Sequence, residues 1–315
     1  MPREAKRART ETAQQITLAV VGAGRLGSTL ALALAARGYR ISAVVTRRKQ
    51  HAQRVARLCP PPRPVALAAA QLTALPRTDL LLISTPDDQI SATAARLAKL
   101  EHAQTDAQTG DAPRRLRVAL HTSGALSSDA LAVLRAARYA VGSLHPLLSI
   151  SDAGADADSL RRAFYCVEGD PAAVRAARRV VRALGGHSFS IKPADKALYH
   201  AAAVLASGHT VALFALAAEL LARCGVAPVA ARRALSPLTA STLNNLLQAH
   251  TPAHALTGPF ARGDAATVRK NIAALAADPA ARSIYALLGA HALRLARQKG
   301  VPAAALKEIA AALKQ

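Results

Sequence analysis

The sequence predicts an α/β domain built on parallel strands, followed by a domain made only of helices. Three observations predict it. Close to the N-terminus an apolar run, Ile16-Thr-Leu-Ala-Val-Val21, stops at Gly22 and passes through Gly-x-Gly-x-x-Gly into an Ala/Leu-rich helix. Apolar, β-rich runs then alternate with helical segments as far as residue 191. From Lys192 onward the strand signals cease, and Ala/Leu-rich helices are broken only at Gly and Pro positions such as Gly225, Pro228, Pro237, Pro252, Gly258 and Pro302. We therefore assign 1–15 to a disordered basic tail, 16–191 to the α/β domain and 192–315 to the helical domain. A chain of 315 residues has room for two such cores.

The glycine turn carries the first functional expectation. Between a strand and a helix, Gly22 permits a tight turn, Gly24 lets the backbone approach a pyrophosphate, and Gly27 lets helix and strand pack closely. Residues Gly22, Ala23, Gly24, Arg25, Leu26 and Gly27 thus form the expected phosphate loop of a Rossmann domain, with the helix N-terminus facing the phosphates. The helix continues to Arg37 and stops at Gly38, and a second strand covers 41–45. An acid at the end of that strand would bind a free ribose 2′-hydroxyl, whereas this chain has Thr46-Arg47-Arg48, which suits a 2′-phosphate. NADP(H) is the cofactor these residues predict.

Further along, 79–84 reads as a buried strand that delivers Ser84-Thr85-Pro86 to the cofactor cleft at a helix start. Residues 101–115 read as a polar surface loop, and a strand at 117–120 runs into His121-Thr122-Ser123-Gly124. Another βα unit ends in Gly142-Ser143-Leu144-His145-Pro146, so that two strand ends each carry a His and a Ser. We expect His121, Ser123 and Gly124 to line the cofactor and His145 the substrate; nothing in the spacing supplies the acid or oxyanion site of a hydrolase. An Asp/Ala/Gly loop at 151–159 precedes a last βαβ-like unit over 164–191.

The bulk chemistry excludes some classes. A formal charge of +22 invites a polyanion, but the arginines are scattered and no tryptophan accompanies them, so specific nucleic-acid binding is not expected. Cys59, Cys166 and Cys224 stand far apart with no metal-ligand spacing, which fits reduced thiols in a cytoplasmic protein without a metal. The polar start is no secretory signal, and 201–222, although nearly of spanning length, contains His209 and Glu219 and reads as a buried central helix rather than a membrane anchor.

The first helix of the second domain carries the catalytic expectation. At about 100° per residue, Lys196, His200, Ala203 and Ser207 fall on one stripe of an otherwise apolar helix. A lysine desolvated there can donate a proton near neutral pH, with His200 assisting and Ser207 contacting substrate. In Thr257-Gly-Pro-x-x-Arg-Gly-Asp264, Arg262 can clamp a substrate carboxylate, while Asp264 is expected to N-cap the helix that follows. Glu219 reads as a partnered structural acid.

A glycine-loop domain followed by a helix bearing Lys-x-x-x-(Asn/His) resembles the 6-phosphogluconate dehydrogenase-like superfamily, including ketopantoate reductases. More closely, His121-Thr-Ser-Gly124, Gly142-Ser-Leu-His-Pro146, Lys196-x-x-Tyr-His-Ala-Ala-Ala203 and the motif ending at Asp264 resemble proteins that pair a Rossmann-like domain with domain of unknown function 2520. That resemblance implies that Lys196 bonds the substrate's reacting oxygen and delivers its proton, with His200 in place of an asparagine. It implies an NADPH-dependent reductase of a small 2-oxo acid, ketopantoate first among candidates, acting as a homodimer. An imine reductase similar to pyrroline-5-carboxylate reductase and a non-catalytic NADP(H) sensor are the rival readings.

Overall fold

The computed structural model describes residues 16–106, 116–150 and 159–314. The expected tail at 1–15 lies outside them, as do most of the loop expected at 151–159 and the second half of the one expected at 101–115. The chain divides into two compact units, Met1–Ala206 and Ser207–Gln315.

The first unit is a sheet of eight strands among the described residues: β1 (Thr17–Val21), β2 (Arg40–Thr46), β3 (Val65–Ala68), β4 (Leu80–Ile83), β5 (Arg117–His121), β6 (Tyr139–Pro146), β7 (Phe164–Gly169) and β8 (His187–Phe189). Their order is β3-β2-β1-β4-β5-β6-β7-β8, and β6 pairs antiparallel with β7 while every other pairing is parallel. The first six strands follow the doubly wound order, so the topological switch point lies between β1 and β4.

Period-two alternation explains the layers. Leu18 and Val20 face one core with Leu30 and Leu34 of α1 (Arg25–Ala35), Val55 of α2 (Lys49–Leu58) and Val180 and Val181 of α4 (Pro171–Leu184). Ala19 and Val21 face the other, with Ile90, Ala94 and Leu97 of α3 (Asp87–Asp106). Helix α4 spans Pro171–Leu184 and closes with Gly185 at φ +79°, the left-handed residue that ends many helices. Complete burial of one such leucine is worth about 1.5–3 kcal/mol.

Several expectations need correction. The polar stretch from Glu101 to Asp106 continues α3; at its start Arg117 donates to both carboxylate oxygens of Glu101, at 2.7 and 2.5 Å, and the Tyr139 hydroxyl donates at 2.8 Å. Between β5 and β6 stands a 3-10 helix, Ser128–Leu134, in place of an α-helix. After β8 come α5 (Lys196–Ala206), α6 (Gly208–Arg223), α7 (Pro228–Gln248), α8 (Pro252–Ala255), α9 (Gly258–Arg262), α10 (Ala265–Ala274), α11 (Pro279–Gln298) and α12 (Ala303–Ala312). The change to helices alone falls where the sequence puts it, but α5 belongs to the first unit, anchored there by the buried Lys196. Pro237, expected as a break, lies inside α7.

In the second unit, Val268, Ile309 and Ala312 form a small core with Phe260, Tyr285 and Leu293. Helix α6 is not the buried helix expected: only Ala218 is buried, and Val211 remains 70% exposed. Glu219 is exposed too, so it is no core acid. The stretch Pro193–Arg223 has the length and mean hydropathy (1.8) to cross a membrane, yet its α5 half docks on the sheet through a lysine.

Candidate active site

The carboxyl ends of β1 and β4 form the first half of the site. Gly22 sits at φ +94°, and a Cβ there would lie 2.5 Å from the Ser84 carbonyl carbon and the Thr85 nitrogen, so the two strand ends touch through a glycine. A Cβ on Gly27 would lie 2.2 Å from the Gly22 oxygen, which is the close helix–strand contact expected of it. Above Gly24 none of the described residues lies within 4 Å of where a Cβ would be, so among them this face of the loop is open. Arg25 is exposed and opens α1, whose first-turn N–H groups lack helical acceptors; Leu26 is half-buried. Ser28 fastens the turn by donating to the Ala23 oxygen at 2.8 Å.

A residue the sequence reading missed ties this loop to the next strand. The His51 ring on α2 lies 2.7 Å from the Ala23 oxygen through Nε2, and Arg54 donates to its Nδ1 at 3.1 Å, so Nε2 carries the proton. No local spacing reveals this contact, since it joins residues 28 apart. Thr46 ends β2 and donates to the Arg48 oxygen at 2.7 Å, leaving the side chains of Arg47 and Arg48 exposed. Ser84 and Thr85 are half-buried and Pro86 is exposed; the Ser84 hydroxyl accepts from Thr122 at 3.0 Å. The Thr85 Oγ1 is buried and without a hydrogen-bond partner among the described residues. An open glycine face, an orphaned hydroxyl beside it and two free-standing arginines fit a dinucleotide phosphate chain.

The second half gathers around the ends of β5 and β6. His121 is fully buried: its Nδ1 accepts from the Ser123 N–H at 3.2 Å and its Nε2 donates to the Ser127 oxygen at 3.0 Å. Burial, reinforced by the nearby Lys196 charge, holds its pKa down at about 4. His121 therefore does not line the cofactor; it clamps the loop. Ser123 is also internal, donating to Asp87 at 2.8 Å while accepting from the N–H groups of Ala125 and Leu126. Gly124 is buried beneath two imidazoles, because a Cβ on it would lie 2.6 Å from Nδ1 of His200 and 2.8 Å from Nε2 of His145.

Lys196 is 2% exposed, and its Nζ donates to the Ser123 oxygen and the Ser143 hydroxyl, both at 3.0 Å. Burial lowers its pKa, opposed by the nearby carboxylates of Glu168 and Asp87. Half-buried His145 and His200 lie edge to face, with ring centroids 6.2 Å apart. His145 meets the Tyr199 hydroxyl through Nδ1 at 2.6 Å, and the His200 Nδ1 has no partner among the described residues. Lys196, His145, His200 and Gly124 thus come together as the motifs implied. Tyr199 and Ser143, which complete the cluster, lay inside those motifs without being singled out.

The remaining expected residues belong to the second unit. The helix of Lys196 ends at Ala206, and Ser207, exposed at φ −119° and ψ −82°, opens the second unit, so the proposed stripe is cut before Ser207. Arg262 is exposed at the end of α9 in the second unit. Asp264 caps α10 as expected, accepting from the Thr267 N–H at 3.0 Å. Among the described residues no cluster of His, Cys, Asp and Glu could hold a metal.

Sheet order, glycine turn and polar cluster define a doubly wound nucleotide-binding fold with a site on the carboxyl edge of its sheet. Residues 163–292 match the family model described as Domain of unknown function (DUF2520), and residues 4–109 match that of Shikimate / quinate 5-dehydrogenase. The two matches divide between the strand-bearing N-terminal part of the chain and a stretch that runs from β7 into α11. It is similar in fold to a protein from Thermotoga maritima, at 22% identity and TM-score 0.70 over 90% of this chain and 99% of that one. A Bacteroides fragilis protein provisionally described as an NADP oxidoreductase shares 22% identity at TM-score 0.64, over 89% and 98% of the two chains. The 1-pyrroline-5-carboxylate reductase of Streptococcus pyogenes shares 14% identity at TM-score 0.52, over 96% and 99%. No curated protein matches the chain by sequence.

Proposed function

We propose that the protein is an NADPH-dependent oxidoreductase that reduces a small 2-oxo acid, with ketopantoate the leading candidate. One observation carries this reading: the glycine turn with its orphaned Thr85 hydroxyl shares the carboxyl edge of one sheet with a buried lysine and two imidazoles. Gly22, Gly24, Gly27 and Ser84–Pro86 would hold the pyrophosphate side of the cofactor, and Arg47 and Arg48 its 2′-phosphate. When bound, NADPH supplies the hydride. The chain's own residues answer the charge that develops on the substrate oxygen. His145 and His200 border it, and Lys196 contributes a buried positive charge that water screens little.

The fold shared with the Streptococcus pyogenes reductase supports a second reading, reduction of a cyclic imine, since the same groups would serve a C=N bond. Purified protein, NADPH and a panel of 2-oxo acids and cyclic imines decide between them by loss of NADPH absorbance. NADPH binding with no turnover on any member would leave the sensor reading instead.

The second unit exposes Val211, Leu238, Leu247 and Leu287, at 70, 62, 85 and 74%, an apolar surface that we assign to a second copy in a homodimer. Light scattering that shows only monomer at micromolar concentration would remove that assignment.

A further inference from the structure

The reductase reading leaves open which group meets the substrate's reacting atom. Lys196 is poorly placed to do so: its ammonium is internal and two of its protons already serve Ser123 and Ser143. His145 keeps partial exposure on the same edge. We propose that His145 presents Nε2–H as a neutral hydrogen-bond donor to the reacting oxygen or nitrogen, and that Tyr199 is the positioning residue that holds it in this tautomer.

The argument begins with the sheet. His145 on β6 and Cys166 on β7 are directly paired across the antiparallel ladder, so their side chains stand side by side on one face. Tyr199 from α5 brings its hydroxyl to 2.6 Å from Nδ1 of His145, with the Cys166 thiol nearby. A phenol has one proton to give. Imidazole nitrogen is a strong acceptor, whereas a thiol is a weak acceptor and a weak donor. The favoured arrangement gives the phenol proton to Nδ1, the stronger acceptor. Nδ1 is then the acceptor, and the ring proton must sit on Nε2. Burial, together with the positive charge of Lys196, pushes the pKa of His145 down to about 4, which keeps the ring neutral at pH 7. Gly124 completes the device, because any larger residue would occupy the space against Nε2.

A neutral imidazole suits this task. It polarises a carbonyl or imine without surrendering a proton, and it strengthens as negative charge gathers on the atom it faces. Protonation of the product anion is then left to solvent.

Because the proposal rests on the reductase reading, its test has one arm independent of turnover. Nitrogen-15 NMR of the histidine rings in the ligand-free protein should show His145 with Nδ1 unprotonated and Nε2 protonated. Tyr199→Phe, which keeps the ring but removes the donor, should give a mixture of tautomers. A wild-type ring protonated at Nδ1 overturns the proposal. In the second arm, on a substrate from the panel, His145→Ala should lower kcat by at least about a hundredfold with unchanged NADPH affinity. His145→Gln, whose amide can donate, should recover part of the loss. Unchanged kcat in His145→Ala overturns the donor role and spares the reductase reading. Failure of the wild type on every panel member removes the reductase reading, and the proposal with it, whatever the tautomer.

Discussion

The Nζ of Lys196 lies 3.0 Å from the main-chain oxygen of Ser123. That contact, with its twin to Ser143, fixes the loop after β5 to the strand β6 beside it and carries the Gly124 platform between them. Lys196 therefore acts on structure and on electrostatics together. Lys196→Met, which keeps most of the stem, should leave two buried acceptors unsatisfied and cost about 1–3 kcal/mol in urea unfolding. Turnover should fall by about a hundredfold, the scale of losing one electrostatic stabiliser, while NADPH affinity stays the same. Full stability and full turnover together would mean that the buried ammonium does nothing for the site.

Gly124→Ala tests the platform. The added Cβ would arrive 2.6 Å from Nδ1 of His200 and 2.8 Å from Nε2 of His145, and both rings would have to move. The backbone there has ordinary dihedrals, since Gly124 is absent from the positive-φ glycines, so the fold should tolerate the change. Displacement of a site group by about 1 Å costs up to about a hundredfold in rate. We expect a loss of that scale in kcat with unchanged NADPH affinity; wild-type kinetics would mean that the two imidazoles do not need their present positions.

How much of this was legible beforehand follows from the range of the interactions. The glycine turn is a local signal, strand–turn–helix in a dozen residues, and Gly22 makes the tight turn and Gly27 the close helix–strand contact that their positions imply. Asp264 was legible for the same reason, a cap three residues from its donor. His121 was misjudged because a histidine at a strand end has the same sequence signature whether its nitrogens face a ligand or its own loop. Tyr199 could not be singled out, since its partner His145 lies on a strand 54 residues earlier. Exposure of α6 was hidden as well, because an apolar helix looks identical whether its own chain or another covers it.

Arg47→Asp tests cofactor choice. The Thr46 hydroxyl closes the turn after β2 onto the Arg48 oxygen, and His51 ties the next helix to the glycine loop, so the exposed arginine side chains start from a fixed backbone. Loss of one charge-assisted contact to a 2′-phosphate, worth about 1.5–3 kcal/mol, should weaken NADPH roughly 10- to 100-fold and leave NADH nearly unaffected. Equal weakening of both, in fluorescence titrations, would remove the 2′-phosphate assignment.

The pH dependence of stability follows from the same buried rings. Burial holds His121 and His145 at a pKa of about 4 in the folded protein, against about 6.5 in an unfolded chain. Between those values the unfolded state binds more protons than the folded one, so stability rises with pH in that window and is lost as pH falls through it. For His121 alone the loss from pH 6.5 to pH 5 should be roughly 2 kcal/mol. That range lies above the ordinary titration of carboxylates, which keeps their contribution small. Urea midpoints at pH 7.5, 6.5, 5.5 and 5 should decline accordingly, and His121→Gln, uncharged throughout, should flatten the decline even if it lowers the starting stability. A profile as steep in His121→Gln as in the wild type would show that the clamp on the β5 loop is not the group being protonated.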